Sequence, residues 1–193
     1  MDYNPDILKY RKVQDISGAY PNTGTVFTLL NNIGTGSDFN QRIGRSIQMK
    51  AMRLRFRSQP MGIVNDQGNL RIILVYDRQN NGTTPVITDI LQSNSTLSNE
   101  LFEKNQRFMF IKDWLFAVPR YDTNATPVAT SPCFQDKSFI QFDEYINLDL
   151  PTVYFGTGGS QIATGALFIV TLFAPTPVFF QQCSFTNRIY FED

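Results

Sequence analysis

Apolar residues in this chain recur at every second position or run unbroken over strand lengths, and almost nowhere at helical spacing. The clearest stretch is Ile47 to Phe56, where Met52, Leu54 and Phe56 share one parity and Arg53, Arg55 and Arg57 the other. That pattern suits a strand with one face in a core and one in solvent. Leu70 to Tyr76 is apolar at both parities, as in a strand buried within a sandwich. Phe108 to Val118 is similar and holds Trp114. Phe139 to Leu148 alternates again, with Ile140, Phe142, Ile146 and Leu148 on one parity and Glu144 as the exception. Val26 to Leu30, Leu167 to Phe173 and Phe185 to Phe191 complete the set.

Turn residues separate these runs: Asn31-Asn32-Ile33-Gly34, Asn65-Asp66-Gln67-Gly68, Asn80-Asn81-Gly82 and Gly156-Thr157-Gly158-Gly159. Helical signal is sparse. Thr84-Pro85 suits an N-cap followed by proline at the first helical position, with Ile87, Ile90 and Leu91 at i, i+3 and i+4. Leu97 and Leu101 suggest a second short turn. The expected architecture is all-β: an eight-stranded antiparallel jelly-roll sandwich with one or two short helical turns in loops. A chain of 193 residues suits one such domain, assigned to residues 22–193. Residues 1–21 are polar and read as an N-terminal arm or loosely attached segment.

Histidine is absent, which excludes a Ser-His-Asp triad, a Cys-His pair and a His-ligated metal centre. Asp143 and Glu144 are adjacent, so on a strand they point to opposite faces and cannot share one substrate. The Gly156–Ser160 loop precedes a strand, whereas a phosphate cradle needs a helix N-terminus behind it. No enzymatic activity, cofactor or metal is expected. The longest apolar run, Ala166 to Ala174, is far shorter than the ~18 residues of a membrane span. Cys133 and Cys183 stand far apart with no CxxC partner and read as free buried thiols, with a disulfide between them as the alternative.

Lys+Arg and Asp+Glu both total 17, which argues against a uniformly basic nucleic-acid binder. The distribution says more than the sum. Between Phe39 and Asn65 stand Arg42, Arg45, Lys50, Arg53, Arg55 and Arg57, with no acidic residue inside the stretch from Gln41 to Val64. Like charges about 7 Å apart on one strand face are normally offset by acidic groups or used on an anion. Arginine forks suit phosphate contacts without sequence preference. Contact with a second subunit is the equal alternative, and an ordinary solvated sheet face the third. Lys9, Arg11 and Lys12 form a smaller cluster in the arm, weakened by the flanking Asp2, Asp6 and Asp15.

Three segments carry a family resemblance. Ile33-Gly34-Thr-Gly36 leads into Gln41-Arg42-Ile43-Gly44-Arg45-Ser-Ile47. Leu70 to Tyr76 leads into Asp77-Arg-Gln79-Asn-Asn-Gly82-Thr-Thr-Pro85 and Asp89-Ile90-Leu91. Asn105-Gln-Arg107-Phe108 leads to Asp113. In order and spacing these resemble the single-jelly-roll capsid proteins of circular Rep-encoding single-stranded DNA (CRESS-DNA) viruses, which are similar in turn to plant satellite necrosis virus coat proteins. The resemblance implies self-assembly into a T=1 icosahedral shell of roughly 60 copies around circular ssDNA. It implies a virion location, with passage through the host nucleus and an unidentified host receptor. It places Asp77, Arg107 and Asp113 at recurring polar positions, read here as loop or inter-subunit salt-bridge groups. The long basic arm usual in that family is not matched by residues 1–21, so reduced genome packaging is expected. A carbohydrate-binding jelly-roll module is the alternative, and Trp114 within an apolar run weakens it.

Overall fold

Nine strands form among the residues described by the computed structural model, which are 12–20, 24–60, 68–118, 140–159, 161–173 and 181–193. They are β1 (Lys12–Tyr20), β2 (Thr25–Leu29), β3 (Ser46–Pro60), β4 (Gly68–Asp77), β5 (Phe108–Val118), β6 (Ile140–Tyr154), β7 (Ile162–Thr164), β8 (Ala166–Phe173) and β9 (Gln181–Glu192). One sheet has the order β1-β9-β3-β6-β7 and the other β2-β8-β4-β5. Every pairing is antiparallel, and the pairs nest: β4 with β5, β3 with β6, β2 with β8, β1 with β9. A long hairpin rolled upon itself gives this nesting, which is the jelly roll. The short β7 adds a rung beside the end of β6.

The two sheets meet across alternating side chains. Met52, Leu54 and Phe56 of β3 are buried, as the alternation requires. Phe142 of β6 stacks on Phe56 (centroids 5.3 Å apart), and on Trp114 of β5 in the opposite sheet (4.9 Å). Such pairs contribute about 0.5–1.5 kcal/mol each beyond buried area. Trp114 therefore faces inward, with its register partner Ile72. Arg71, Ile73 and Val75 of β4 must then face outward, yet all are buried. The connection 78–107 covers them: Ile87, Ile90 and Leu91 join the core, and Arg71 donates to the Thr96 carbonyl (3.3 Å) and to that of Ser98. This is why β4 is apolar at both parities.

Gly165 shows why one turn admits glycine alone. Its φ is +82°, and a Cβ would stand 2.2 Å from the Pro151 carbonyl oxygen and 2.6 Å from the Tyr76 hydroxyl. Asn31 closes the same corner. Its Nδ2 donates to Gly165 O (2.8 Å) and Thr152 Oγ1 (2.9 Å), and its Oδ1 accepts from Leu167 N (3.0 Å).

Three expectations need correction. Residues 12–20, assigned to a loose arm, form β1, paired along its length from Lys12↔Phe191 to Tyr20↔Cys183. An outer strand with one bonded neighbour needs few apolar residues, and among the described side chains of β1 only Ile16 packs against the core. The first helix, α1 (Ile87–Ile90), begins after Val86 rather than after Thr84, with Asp89 Oδ2 accepting the Val86 N–H (3.0 Å). The second turn is a single 3-10 turn at Phe102–Lys104, and Leu97 stands exposed.

Candidate nucleic-acid interface

Strand parity sends Arg53, Arg55 and Arg57 to the outer face of the five-stranded sheet. Register fixes their neighbours. Arg53 lies opposite Arg188 of β9 and Tyr145 of β6, and Arg55 lies opposite Thr186 and Asp143. Asp15 of β1 sits opposite Arg188. The repulsion expected of an arginine ladder is relieved locally. Arg53 grips Asp143 through Nε (2.8 Å) and an outer guanidinium nitrogen (2.7 Å), and Arg55 Nε reaches the same carboxylate at 3.1 Å. Arg188 grips Asp15 with two bonds of 2.6 Å. Hydrogen bonds from Arg53 hold Asp143 below the usual carboxylate range, and those from Arg188 do the same for Asp15.

Two shallow hollows follow this face. One of about 400 Å³ is lined by Asp15, Ser17, Arg53, Arg55, Arg188 and Tyr190. The other, about 330 Å³, is lined by Arg55, Arg57, Gln141, Asp143, Ser184 and Thr186. Four arginines against two aspartates leave this patch with an excess of two positive charges. A flat basic surface with neutral hydroxyls and amides between the arginines fits a chain of phosphates better than a single small anion.

The other basic candidates do not join the patch. Arg42 is fully buried. Its guanidinium donates to the carbonyls of Ile33 (3.0 Å), Gly44, Gly156 and Gly158 (3.5 Å), and lies 4.0 Å from the centre of the Tyr154 ring. Desolvation lowers its proton affinity. Arg42 is a staple between two loops, and the glycine-rich loop cradles an arginine where the sequence suggested only a plain turn. Gly159 permits that approach, since a Cβ there would meet Asn32 Oδ1 at 2.2 Å. Arg45 is exposed on the neighbouring loop. Lys50 sits at a bulge of β3 near Asp149 (3.1 Å) and Glu192 (3.7 Å). Lys12 pairs with Asp193. Lys9 and Arg11 lie outside the described residues.

The three interface candidates are bound within the chain. Asp77 has a fully buried side chain and takes a two-pronged bond from Arg107 (2.8 Å twice). Asp113 pairs with Arg71 at 2.9 Å and 2.5 Å. The Asp77–Arg107 bridge ties the two ends of the 78–107 connection together, whereas Arg71, held by Asp113 across the β4–β5 pair, reaches the middle of that connection at Thr96 and Ser98. Trp114, the aromatic best suited to a sugar, is stacked on Phe142 and donates to Glu144 (3.0 Å). Asp143 and Glu144 do point to opposite faces, as their adjacency required. Of the aromatic loop residues that could anchor an interface, Phe155 is exposed, and Tyr121, Phe134, Phe179 and Phe180 lie outside the described residues. Cys183 is a buried free thiol whose pKa burial pushes up to about 11, and Cys133 lies outside the described residues.

Arg188, Asp15 and Asp143 were missed as members of this patch. The alternation of Ser184, Thr186 and Arg188 with Cys183, Phe185 and Ile189 gives the parity of β9, but not which strand lies beside it.

Fold and surface together define a small single-jelly-roll protein with an arginine-bearing sheet face that no connection covers among the described residues. The comparisons with known proteins then place it: the chain belongs to the satellite tobacco necrosis virus coat protein family, whose model matches residues 15–136. It is 34% identical over 110 residues to the coat protein of Maize white line mosaic satellite virus, covering 56% of this chain and 50% of that one. It is 36% identical over 94 residues to the coat protein of Satellite tobacco necrosis virus 2 (48% and 46% covered). To the capsid protein of Satellite tobacco necrosis virus 1 it is 32% identical over 92 residues (47% and 45%). The chain thus matches about half the length of these curated relatives. All three are satellite virus proteins, the second of the two groups in the resemblance. The assignment to CRESS-DNA viruses finds no support in them, and the circular ssDNA genome and nuclear stage inferred from it lose their basis.

Proposed function

We propose that the chain is a structural coat protein that assembles with copies of itself into a small closed shell, as part of a virion. Family membership across residues 15–136 carries this reading. Assembly would bury loops and strand edges between copies related by rotational symmetry, with roughly 60 copies in the simplest icosahedral shell. Exposed apolar side chains on the loops, Phe39, Ile43, Phe102 and Phe155, supply anchors for such contacts. In the same reading, Arg53, Arg55, Arg57 and Arg188 hold a single-stranded nucleic acid by its phosphates, without sequence preference and with strong salt sensitivity.

Size-exclusion chromatography with negative-stain microscopy of the purified chain tests assembly. Closed particles are expected, and a monomer or trimer at every salt concentration and pH would sink the coat-protein reading. Replacing Arg53, Arg55 and Arg57 with Gln is expected to lower the nucleic acid retained by the particles severalfold, read from absorbance, while particles still form. Loss of assembly with unchanged nucleic-acid content would assign the arginines to a subunit contact.

A further inference from the structure

Resting on that reading, we infer that the carboxylates of Asp143 and Asp15 are built-in occupants of the phosphate positions, so that nucleic acid binds this face only by displacing them. The geometry is that of substitution. Asp143 presents two oxygens to the Nε and outer nitrogen of Arg53 at 2.8 Å and 2.7 Å, the fork that a phosphate would take. It also reaches Arg55, and Asp15 fills the fork of Arg188 in the same way. The two-pronged bonds of Arg53 and of Arg188 thus both end on carboxylates.

Exposure separates these pairs from the structural ones. The side chains of Asp143 and Asp15 are 40% and 58% exposed, and their arginines 38% to 57%. Exposed pairs contribute little and exchange readily. The Asp77 carboxylate, by contrast, is fully buried against Arg107 and cannot be displaced without opening the fold.

A displaced carboxylate stays tethered to its strand. It remains beside the arginine it has left and repels the incoming phosphate, so one subunit alone binds weakly. Many subunits side by side present many such patches to one strand, and the summed contacts exceed what any one could hold. Asp143 and Asp15 thereby couple nucleic-acid retention to assembly and protect the free chain from indiscriminate polyanion binding.

The test measures binding of fluorescein-labelled oligothymidylate and oligouridylate, about 20 nucleotides each, to the unassembled full chain over a salt series. Asp143→Asn is expected to bind both about three- to tenfold tighter than the unaltered chain. Its salt dependence should steepen by about 0.7 in the log–log slope for each additional phosphate held. Asp15→Asn, on a different strand, should show a smaller increase in affinity through Arg188 and keeps the test open if Asp143→Asn fails to fold. Equal or weaker binding by both variants, with the unaltered chain binding measurably, would overturn the inference and make the carboxylates positioners of the arginines. A chain with Arg53, Arg55 and Arg57 replaced by Gln that binds as tightly as the unaltered one would instead overturn the nucleic-acid face itself.

Discussion

The outer faces of the two sheets are equivalent surfaces of one sandwich by topology, and they have opposite characters. Behind β4, the connection 78–107 folds over the sheet, so Ile73 and Val75 are as buried as the residues between the sheets. Behind β3, the described residues offer no such cover, and Arg53, Arg55 and Arg57 point into solvent. Both faces contain arginine–aspartate pairs, but burial changes what they do. Arg71, held by Asp113 and two loop carbonyls, ties a cover in place. Arg53 and Arg55 meet Asp143 across the β3–β6 pair at the surface, and this cluster holds no covering segment among the described residues. A connection that folds back converts the face of β4 into core, whereas the face of β3 has no such cover among the described residues.

The sharpest way to break this contrast is to truncate matched positions. Ile73→Ala should cost about 2–5 kcal/mol, as for other buried aliphatic truncations. Arg55→Ala should cost less than about 1 kcal/mol, as for an exposed ion-pair member. Urea unfolding of the two variants reads both. Similar costs would mean that the covered face is loosely packed and the contrast false.

A smaller effect separates the arginines themselves. Arg71→Gln should cost about 1–3 kcal/mol, since it leaves the Thr96 and Ser98 carbonyls short of a donor. Arg53→Gln should again cost under about 1 kcal/mol. Proteolysis within the 78–107 connection should accelerate in the first variant and not in the second. Equal susceptibility would show that Arg71 does not hold the cover down.

The sequence foretold this difference in part. Alternation in β3 and the double-sided apolar run of β4 announced one bare and one covered face. What lay beside each strand was not legible, because period-two patterning carries no register. Asp143 and Arg188 are 90 and 135 residues from Arg53 and yet are its neighbours. For the same reason β1 passed as an arm, since the edge strand Lys12–Tyr20 (KVQDISGAY) has almost no apolar alternation. Arg42 misled in the other direction. A basic residue near a basic strand looks like part of a surface, and only the fold brings four carbonyls and a tyrosine ring around it.

Acid offers the finest comparison, because it should move stability and binding in opposite directions on the bare face. Asp15 and Asp143 have folded-state pKa values held below the ordinary aspartate value by hydrogen bonds from Arg188 and Arg53. Their contribution to stability is therefore complete above the unfolded pKa of about 4 and is lost as pH falls through the folded values. Both are well exposed, so the loss is small. Protonating them also frees the arginines, which raises the charge of the patch and should tighten oligonucleotide binding as stability declines. Between about pH 5 and 7 neither property should change much, since the chain has no histidine and the buried Cys183 titrates far higher, near 11. Urea midpoints and oligonucleotide affinities measured at intervals from about pH 7 to about pH 2.5 follow both at once. A fall in affinity below about pH 4 that parallels the fall in stability would mean that the carboxylates support the binding face instead of competing for it.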